Sequence, residues 1–381
     1  MHLTCTQGQL SKCLGIVGRA VAPRSTLPVT GHVLLTTDEG RLKLSATNLD
    51  IAIVSWLGAE IEDAGSISVP ARLFTDLVNS LPNDRVELDL NRRTQTLRVK
   101  GARFEAHVKG LDASEFPRID PVSETPLLQI PAAELRQGIE DVQFAAAKDE
   151  TRPQLAGLLV RVRGSELTLV GCDSFRLSVS RVALGEPVPE EMDLIVPART
   201  MAEVARVQGA LDEPVSISVK PNRSQLLFHA ESIDIVSRLI DGNYVDFQRV
   251  LDQAARHNVR ATVATADLQR SARFTSFVSR DANNALKIEI KAAEGEVGPG
   301  VMTLQATAAQ VGDNTTDIDA VVDGGSANIA LDNTYLTDAL DAIHTQQVTV
   351  SATSGQTLPV LLKPVGSDNS LHVIMPMHLQ R

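Results

Sequence analysis

Apolar and polar positions along this chain follow two alternating periods, and the periods recur in the same order. Between residues 8 and 22, Leu10, Leu14, Val17 and Val21 fall at the spacing of a helix with one buried face. Runs at 32–37, 42–46 and 51–57 then alternate apolar with polar residues, as a strand with one face on a core requires. A short strand at 66–69 leads through Pro70 into a second helix, because proline at a helix start gives up an N–H that had no helical acceptor. Strand patterns return at 85–90, 96–100 and 103–108.

The second half of this series carries a marker of repetition. Val-Pro-Ala-Arg occurs at 69–72 and again at 196–199, each time opening an apolar-periodic segment followed by an alternating run, at 85–90 and at 214–219. A more drifted copy spans 330–340 and is followed by a run at 347–352. A period this long is a domain rather than a solenoid repeat, and each copy is large enough to own a core. The chain is therefore expected to hold three domains, at 1–123, 124–255 and 256–381. Each is α+β, with two helices packed on antiparallel sheets of roughly eight strands. The six expected helical segments, with adjoining turns, are 7–24, 71–81, 132–148, 198–208, 265–280 and 333–344.

Composition removes several function classes. No apolar run approaches the roughly 20 residues of a membrane span, and residues 1–22 lack the pattern of a secretory signal, so a cytoplasmic protein is expected. Cys5, Cys13 and Cys172 are scattered, which fits reduced, buried thiols rather than a disulfide framework or a zinc site. No metal or cofactor is expected. Nothing in the chain supports an enzyme: it has no Gly-rich phosphate loop, no His-x-x-x-His pair and no Gly-x-Ser-x-Gly elbow. Asp173, beside Cys172, is expected to shape a turn rather than to catalyse.

Several stretches together resemble the bacterial DNA sliding clamps, the beta subunit of DNA polymerase III. They are 24–28 (Arg-Ser-Thr-Leu-Pro), 144–152 (Phe-Ala-Ala-Ala-Lys-Asp-Glu-Thr-Arg), 155–159, 172–177 (Cys-Asp-Ser-Phe-Arg-Leu), 241–250 and 375–379 (Met-Pro-Met-His-Leu). Their order and spacing cover the full length. The resemblance implies three tandem clamp domains and a head-to-tail homodimeric ring whose helices line the hole. Twelve helices at about 9–10 Å between axes leave a hole on the order of 30 Å, enough for duplex DNA and a water layer. The implied activity is that of a processivity factor, which holds double-stranded DNA topologically and without sequence preference. A clamp-like, non-replicative scaffold that does not encircle DNA is the alternative.

Net charge has to be reconciled with that reading, since the chain carries a formal −11. The six helical segments hold eleven Lys and Arg against eight Asp and Glu, a net of +3, which leaves −14 for the rest. A mildly basic lining and an acidic exterior suit weak, sliding contact with phosphates. The resemblance points to Arg24, Lys148, Arg152 and Arg199 as the DNA contacts.

The resemblance also implies a groove between the second and third domains for short linear peptides. Its clients would be the replicative polymerase, the clamp loader, repair polymerases and mismatch-repair proteins. Its residues here would be Leu155, Cys172, Ser174, Phe175, Arg176 and Leu177; Val245, Arg249 and Val250; and Pro359, Val373, Met375, Pro376, Met377 and Leu379. Arg176 and Arg249 are expected to pair with a peptide carboxylate or carbonyls. The chain departs from the family pattern at Ser174, Phe175, Val245 and His378, and in the Gln380–Arg381 extension. The dimer seam would set Arg103 and Phe104 against Phe274, Phe277 and an acidic stretch near Glu294 and Glu296 of the partner. No membrane partner is expected, and the chain is expected at the nucleoid.

Overall fold

The computed structural model describes residues 1–22, 27–119, 125–149, 151–208, 211–293, 300–353 and 358–377. Among them the α-helices are α1 (Gln7–Val17), α2 (Ala71–Ser80), α3 (Ala132–Glu140), α4 (Ala198–Val207), α5 (Phe247–Ala254), α6 (Thr265–Ser279) and α7 (Asn333–Asp341). All strand pairings are antiparallel, in keeping with the alternating sequence runs.

The chain divides into two compact units, Met1–Arg136 with Glu203–Leu239, and Gln137–Ala202 with Ile240–Arg381. The first unit holds a five-stranded sheet in the order Glu60–Asp63, His2–Thr6, Arg85–Asn91, Thr96–Gly101, Phe104–Lys109. It also holds an eight-stranded sheet that starts at Leu128–Ile130 and runs through Val215–Val219, Gln225–Ala230 and Ile233–Arg238. From there it continues to Ile51–Gly58, Arg41–Thr47, His32–Asp38 and Ser66–Pro70. Residues of the first and second expected domains are joined here by the pairing of Ile51 with Ser237 through Ile233 with Ser55. Leu10, Leu14 and Val17 of α1, and Phe74 and Val78 of α2, are buried completely or nearly so.

The second unit is built on a twelve-stranded sheet. Its central seam pairs Arg176–Ala183 with Ser370–Ile374, so that Arg176 faces Ile374 across the ladder. One core cluster of this unit gathers Leu268 and Ala272 of α6 with Leu336, Ala339 and Leu340 of α7 and the strands beneath them. Both seams merge segments far apart in sequence, which is why contacts divide the chain into two units where the repeats number three.

The expected helices are present, with informative differences. The first stops at Val17 and tightens into a 3-10 turn over Gly18–Ala20, so Val21 leaves the helical face in extended backbone. Two glycines near this end, Gly15 and Gly18, lower helix propensity where the chain must turn. The third ends at Glu140 and is followed by a 3-10 turn at Gln143–Ala145, so Lys148 lies beyond the helix. Helix α5 has no counterpart among the expected helices. Its N-cap Asp246 accepts from the Arg249 N–H at 3.3 Å, satisfying one of the orphan donors of a helix start.

Candidate functional site

The candidate site grows out of one tight strand connection in the second unit. Strand Glu166–Cys172 turns back into strand Arg176–Ala183 through three residues. Asp173 makes the turn: its Oδ1 accepts the N–H groups of Phe175 at 2.7 Å and Arg176 at 2.9 Å. A short acceptor side chain bonding to its own backbone two and three residues on is the usual chemistry of such a bend. Gly171, two residues earlier, is required by close packing, since a Cβ there would collide with the Val142 carbonyl oxygen.

Arg176 then ties this turn to helix α7. Its Nε donates to Asp173 Oδ2 at 3.0 Å and its Nη1 to Asp338 Oδ2 at 2.6 Å. The guanidinium also lies 4.5 Å from the centroid of Tyr335 and 5.5 Å from that of Phe144, within cation–π range. The side chain is only 6% exposed. Arg176 is thus a strut bound by two carboxylates, and it lines the cavity where it was expected to meet a peptide carboxylate or carbonyls. Asp338, counted among the charges of the helix lining, is likewise taken up by this pair.

Above the strut lies a cavity of about 490 Å³, lined by Lys148, Arg152, Leu155, Ser174, Phe175 and Tyr335 among others. Phe175 stands 57% exposed, its ring 6.4 Å from that of Tyr335 and nearly parallel to it. Arg152 Nη1 donates to Ser174 Oγ at 3.2 Å. Behind the cavity, Leu155, Cys172, Leu177 and Val373 are buried in one apolar cluster, with Val250 packed against it. The Cys172 thiol donates to the Asp173 carbonyl at 2.9 Å. Burial first, and then the charge of Asp173, push its pKa up to about 12, so it is no thiolate nucleophile.

The remaining expected groove residues are dispersed around this centre. Met375 is 38% exposed, and its N–H donates to the Phe175 carbonyl at 2.8 Å, holding the terminal segment beside the turn. Met377 is anchored through its N–H to the Ala330 carbonyl at 2.7 Å. Pro359 is buried and Pro376 half-buried, whereas Val245 and Arg249 are exposed. None of these six lines the cavity itself. Leu379 falls outside the described residues, as does His378. Tyr335 and Asp338 are cavity residues that the sequence reading did not assign to the groove; their i, i+3 spacing on one face of α7 was the available signal.

Of the expected DNA contacts, Arg24 lies outside the described residues, and Arg199 is exposed at the second position of α4. Lys148 and Arg152 sit at the cavity wall, off the helices. Several helix cations are already paired: Arg19 with Glu203 at 3.3 Å and Arg273 with Asp341 at 2.6 Å. Lys12, Arg72, Arg199 and Arg280 are exposed and have no ion-pair partner among the described residues.

Each unit also presents an open strand edge with exposed phenylalanine. In the first, Phe104 opens the edge strand Phe104–Lys109 and is 57% exposed, next to exposed Arg103. In the second, residues 312–320 of strand Gly312–Gly324 pair only with strand Gly300–Ala308. Asn314 of that edge donates to the carbonyl of Phe274 at 3.0 Å. Phe274 is 50% and Phe277 68% exposed on α6. Glu294 and Glu296 lie outside the described residues. No group of three or more potential metal ligands occurs among the described residues, and no helix there is long and apolar enough to cross a membrane.

Three repeats of helices on antiparallel sheets, with strands paired across the repeats, define a DNA-clamp protein. Residues 1–120, 129–246 and 254–378 match the N-terminal, central and C-terminal domain families of the DNA polymerase III beta subunit. The chain is 29% identical to the beta sliding clamp of Staphylococcus aureus over 94% of both chains, and 29% identical to that of Synechococcus elongatus over the whole of both. It superposes on the DNA polymerase sliding clamp of Bacillus subtilis with a TM-score of 0.93 at 26% identity, covering all of both chains. A Pseudomonas aeruginosa clamp solved with griselimycin bound gives 0.90 at 28% identity, again over both full lengths. The chain belongs to the DNA polymerase III beta subunit family, the non-catalytic processivity factors of bacterial replication.

Proposed function

We propose that two copies of this chain close head to tail into a ring around duplex DNA, tethering the replicative polymerase to its template. Full-length agreement with the three beta-subunit domains carries this reading over that of a non-encircling scaffold. The three domains are taken as 1–123, 124–255 and 256–381. Closure uses the two open edges: Phe104–Lys109 of one protomer adds to the 312–320 edge of its partner, burying Phe104 against Phe274 and Phe277. Unpaired edges flanked by large exposed apolar side chains favour such strand addition. A head-to-tail contact yields a ring only when its rotation closes.

Arg24 and Arg199, helped by Lys12, Arg72 and Arg280, supply weak phosphate contacts from the ring's lining. The cavity between Phe175, Tyr335 and Leu155 takes linear peptides from the polymerase, clamp loader and repair proteins. Lys148 and Arg152 belong to the rim of that groove and meet acidic peptide side chains there, in addition to any contact with DNA. The mixed wall supports this: an apolar floor gives affinity, and a few fixed polar groups orient the chain. Work on the chromosome puts the protein in the bacterial cytoplasm at the nucleoid.

The test is retention after loading by a bacterial clamp loader, on nicked circular plasmid and on the same plasmid linearised. Retention on the circle with rapid loss from the linear form is the expected result. Equal retention on both would mean ordinary electrostatic binding and would overturn the ring.

A further inference from the structure

The internal repetition reproduces the groove's supporting turn in the first unit. Asn48 Oδ1 accepts the N–H groups of Asp50 at 3.0 Å and Ile51 at 2.9 Å, the same two bonds that Asp173 makes to Phe175 and Arg176. The Arg238 N–H donates to the Asp50 carbonyl at 2.8 Å, just as the Met375 N–H donates to that of Phe175. Ile51 pairs with Ser237 where Arg176 pairs with Ile374. The two turns are therefore equivalent residue by residue, and each begins the strand that crosses into the next repeat.

Further along the strand that the first turn begins, at Val54 and Trp56, the outer face of the eight-stranded sheet carries a cavity of about 400 Å³, floored by Leu34, Val54, Leu227 and Val236 and walled by Trp56 and Phe116. Two cations face it, Lys43 and Arg118. Lys43 lies 5.2 Å from the Trp56 ring centroid. Neither cation has a carboxylate partner among the described residues. Asp234, the acidic group of the lining, is held by His229 at 2.6 Å, and Asp38 accepts from Trp56 Nε1 at 2.8 Å. In a chain of formal charge −11, two cations outside any ion pair, set against the single carboxylate of Asp234 over an apolar floor, suit an anion attached to something greasy.

We propose that this cavity is a second peptide-binding site, which takes a linear segment of a partner protein carrying a large apolar side chain beside a carboxylate. The apolar side chain fills the floor between Val54, Leu227 and Phe116, while the carboxylate meets Lys43 and Arg118. A concave floor favours this over single-stranded nucleic acid, for which a flat, open stacking face serves better. The peptide mode is carried over from the groove beside Phe175 and rests on that reading, and the test separates the two.

Trp56 is the chain's single tryptophan, so its emission reports this cavity and not the other. The full-length protein is titrated with a capped tripeptide of aspartate, leucine and phenylalanine, with its asparagine counterpart, and with a short oligothymidylate. The expected result is a saturable change in Trp56 emission with the acidic peptide. Its Kd should rise about fivefold in Arg118→Gln, in Lys43→Gln and with the asparagine peptide, the scale of one partly exposed ion pair, and stay within about twofold in Phe175→Ala. Arg118 is exposed, so its variant folds even if Lys43→Gln does not. No emission change at millimolar peptide, or a change indifferent to both cations, overturns the second site; saturation by oligothymidylate at lower concentration assigns the cavity to nucleic acid instead. A fluorescein-labelled form of the same peptide, read by anisotropy, covers the first groove. Binding lost in Phe175→Ala without any Trp56 response removes the second site alone. A Trp56 response dependent on Arg118, with no binding sensitive to Phe175, removes the first reading and keeps this one.

Discussion

Arg176 reaches across 162 positions of sequence to Asp338, and its 2.6 Å bond locks the turn that walls the groove to helix α7. Asp173 and the two aromatic rings hold the rest of the guanidinium. Removing Asp338 therefore leaves a buried cation half-satisfied. Asp338→Ala should lower unfolding stability by about 2 kcal/mol, the scale of a hydrogen bond to a charged group. Urea denaturation measures this. In a double-mutant cycle with Arg176→Met, the Asp338 effect should largely vanish; additivity would mean the bond contributes nothing.

Phe175 presents an exposed ring stacked against Tyr335 at the cavity mouth. Phe175→Ala should weaken binding of a polymerase-derived peptide about fivefold to tenfold, the worth of one aromatic pair, without altering thermal stability. Isothermal titration calorimetry reads the change. Tighter binding in the variant would show that the ring obstructs the groove.

All three thiols are buried. Burial raises Cys5 and Cys172 to about 12 and moves Cys13 the same way. Native protein at pH 8 should resist iodoacetamide at every cysteine, and all three should react once guanidinium unfolds the chain. Mass spectrometry counts the adducts; rapid native labelling of Cys172 would contradict the packing behind the groove.

His372 sits fully enclosed at the seam, 3.0 Å from Ser178 Oγ, its ring tilted against that of Phe144 with centroids 5.7 Å apart. Desolvation lowers its pKa from 6.5 to about 4. Because the folded state disfavours the charged ring, the unfolded chain binds the proton first as pH falls. Stability is therefore present above pH 6.5 and is lost as pH falls from there to about 4, by up to roughly 3 kcal/mol. His372→Asn should flatten that part of the pH–stability curve, and an unchanged slope would remove the assignment.

Phe104 and Phe277 are too exposed to stabilise a lone chain. Phe104→Asp and Phe277→Asp should each leave the melting temperature of dilute protein nearly unchanged while shifting sedimentation from dimer to monomer. Wild-type behaviour of both variants would place the dimer seam elsewhere.

Much of the local structure was legible in the sequence, because it depends on neighbours a few residues apart. Alternation announced the strands at 32–37 and 42–46, and Pro70 announced α2. The repeated tetrapeptide announced the architecture before any contact was known. Where local signals competed, the reading slipped. Two glycines ended α1 ahead of Val21, and a polar eight-residue helix, α5, hid inside a stretch taken for a joint and groove residues.

Short-range patterning established the repeats, their faces and the residue types available to a groove. Which of those residues meet depends on long-range packing. The cavity draws on residues 146–149, 151, 152 and 155, on 173–176 and on 334, 335 and 338, brought together by the register in which Arg176–Ala183 pairs with Ser370–Ile374 and by the bond to α7. A shift of that register by one residue would turn every side chain of the seam to the opposite face. The same long-range packing made Arg176 a strut, because a guanidinium taken out of water must find its carboxylates wherever the fold has put them.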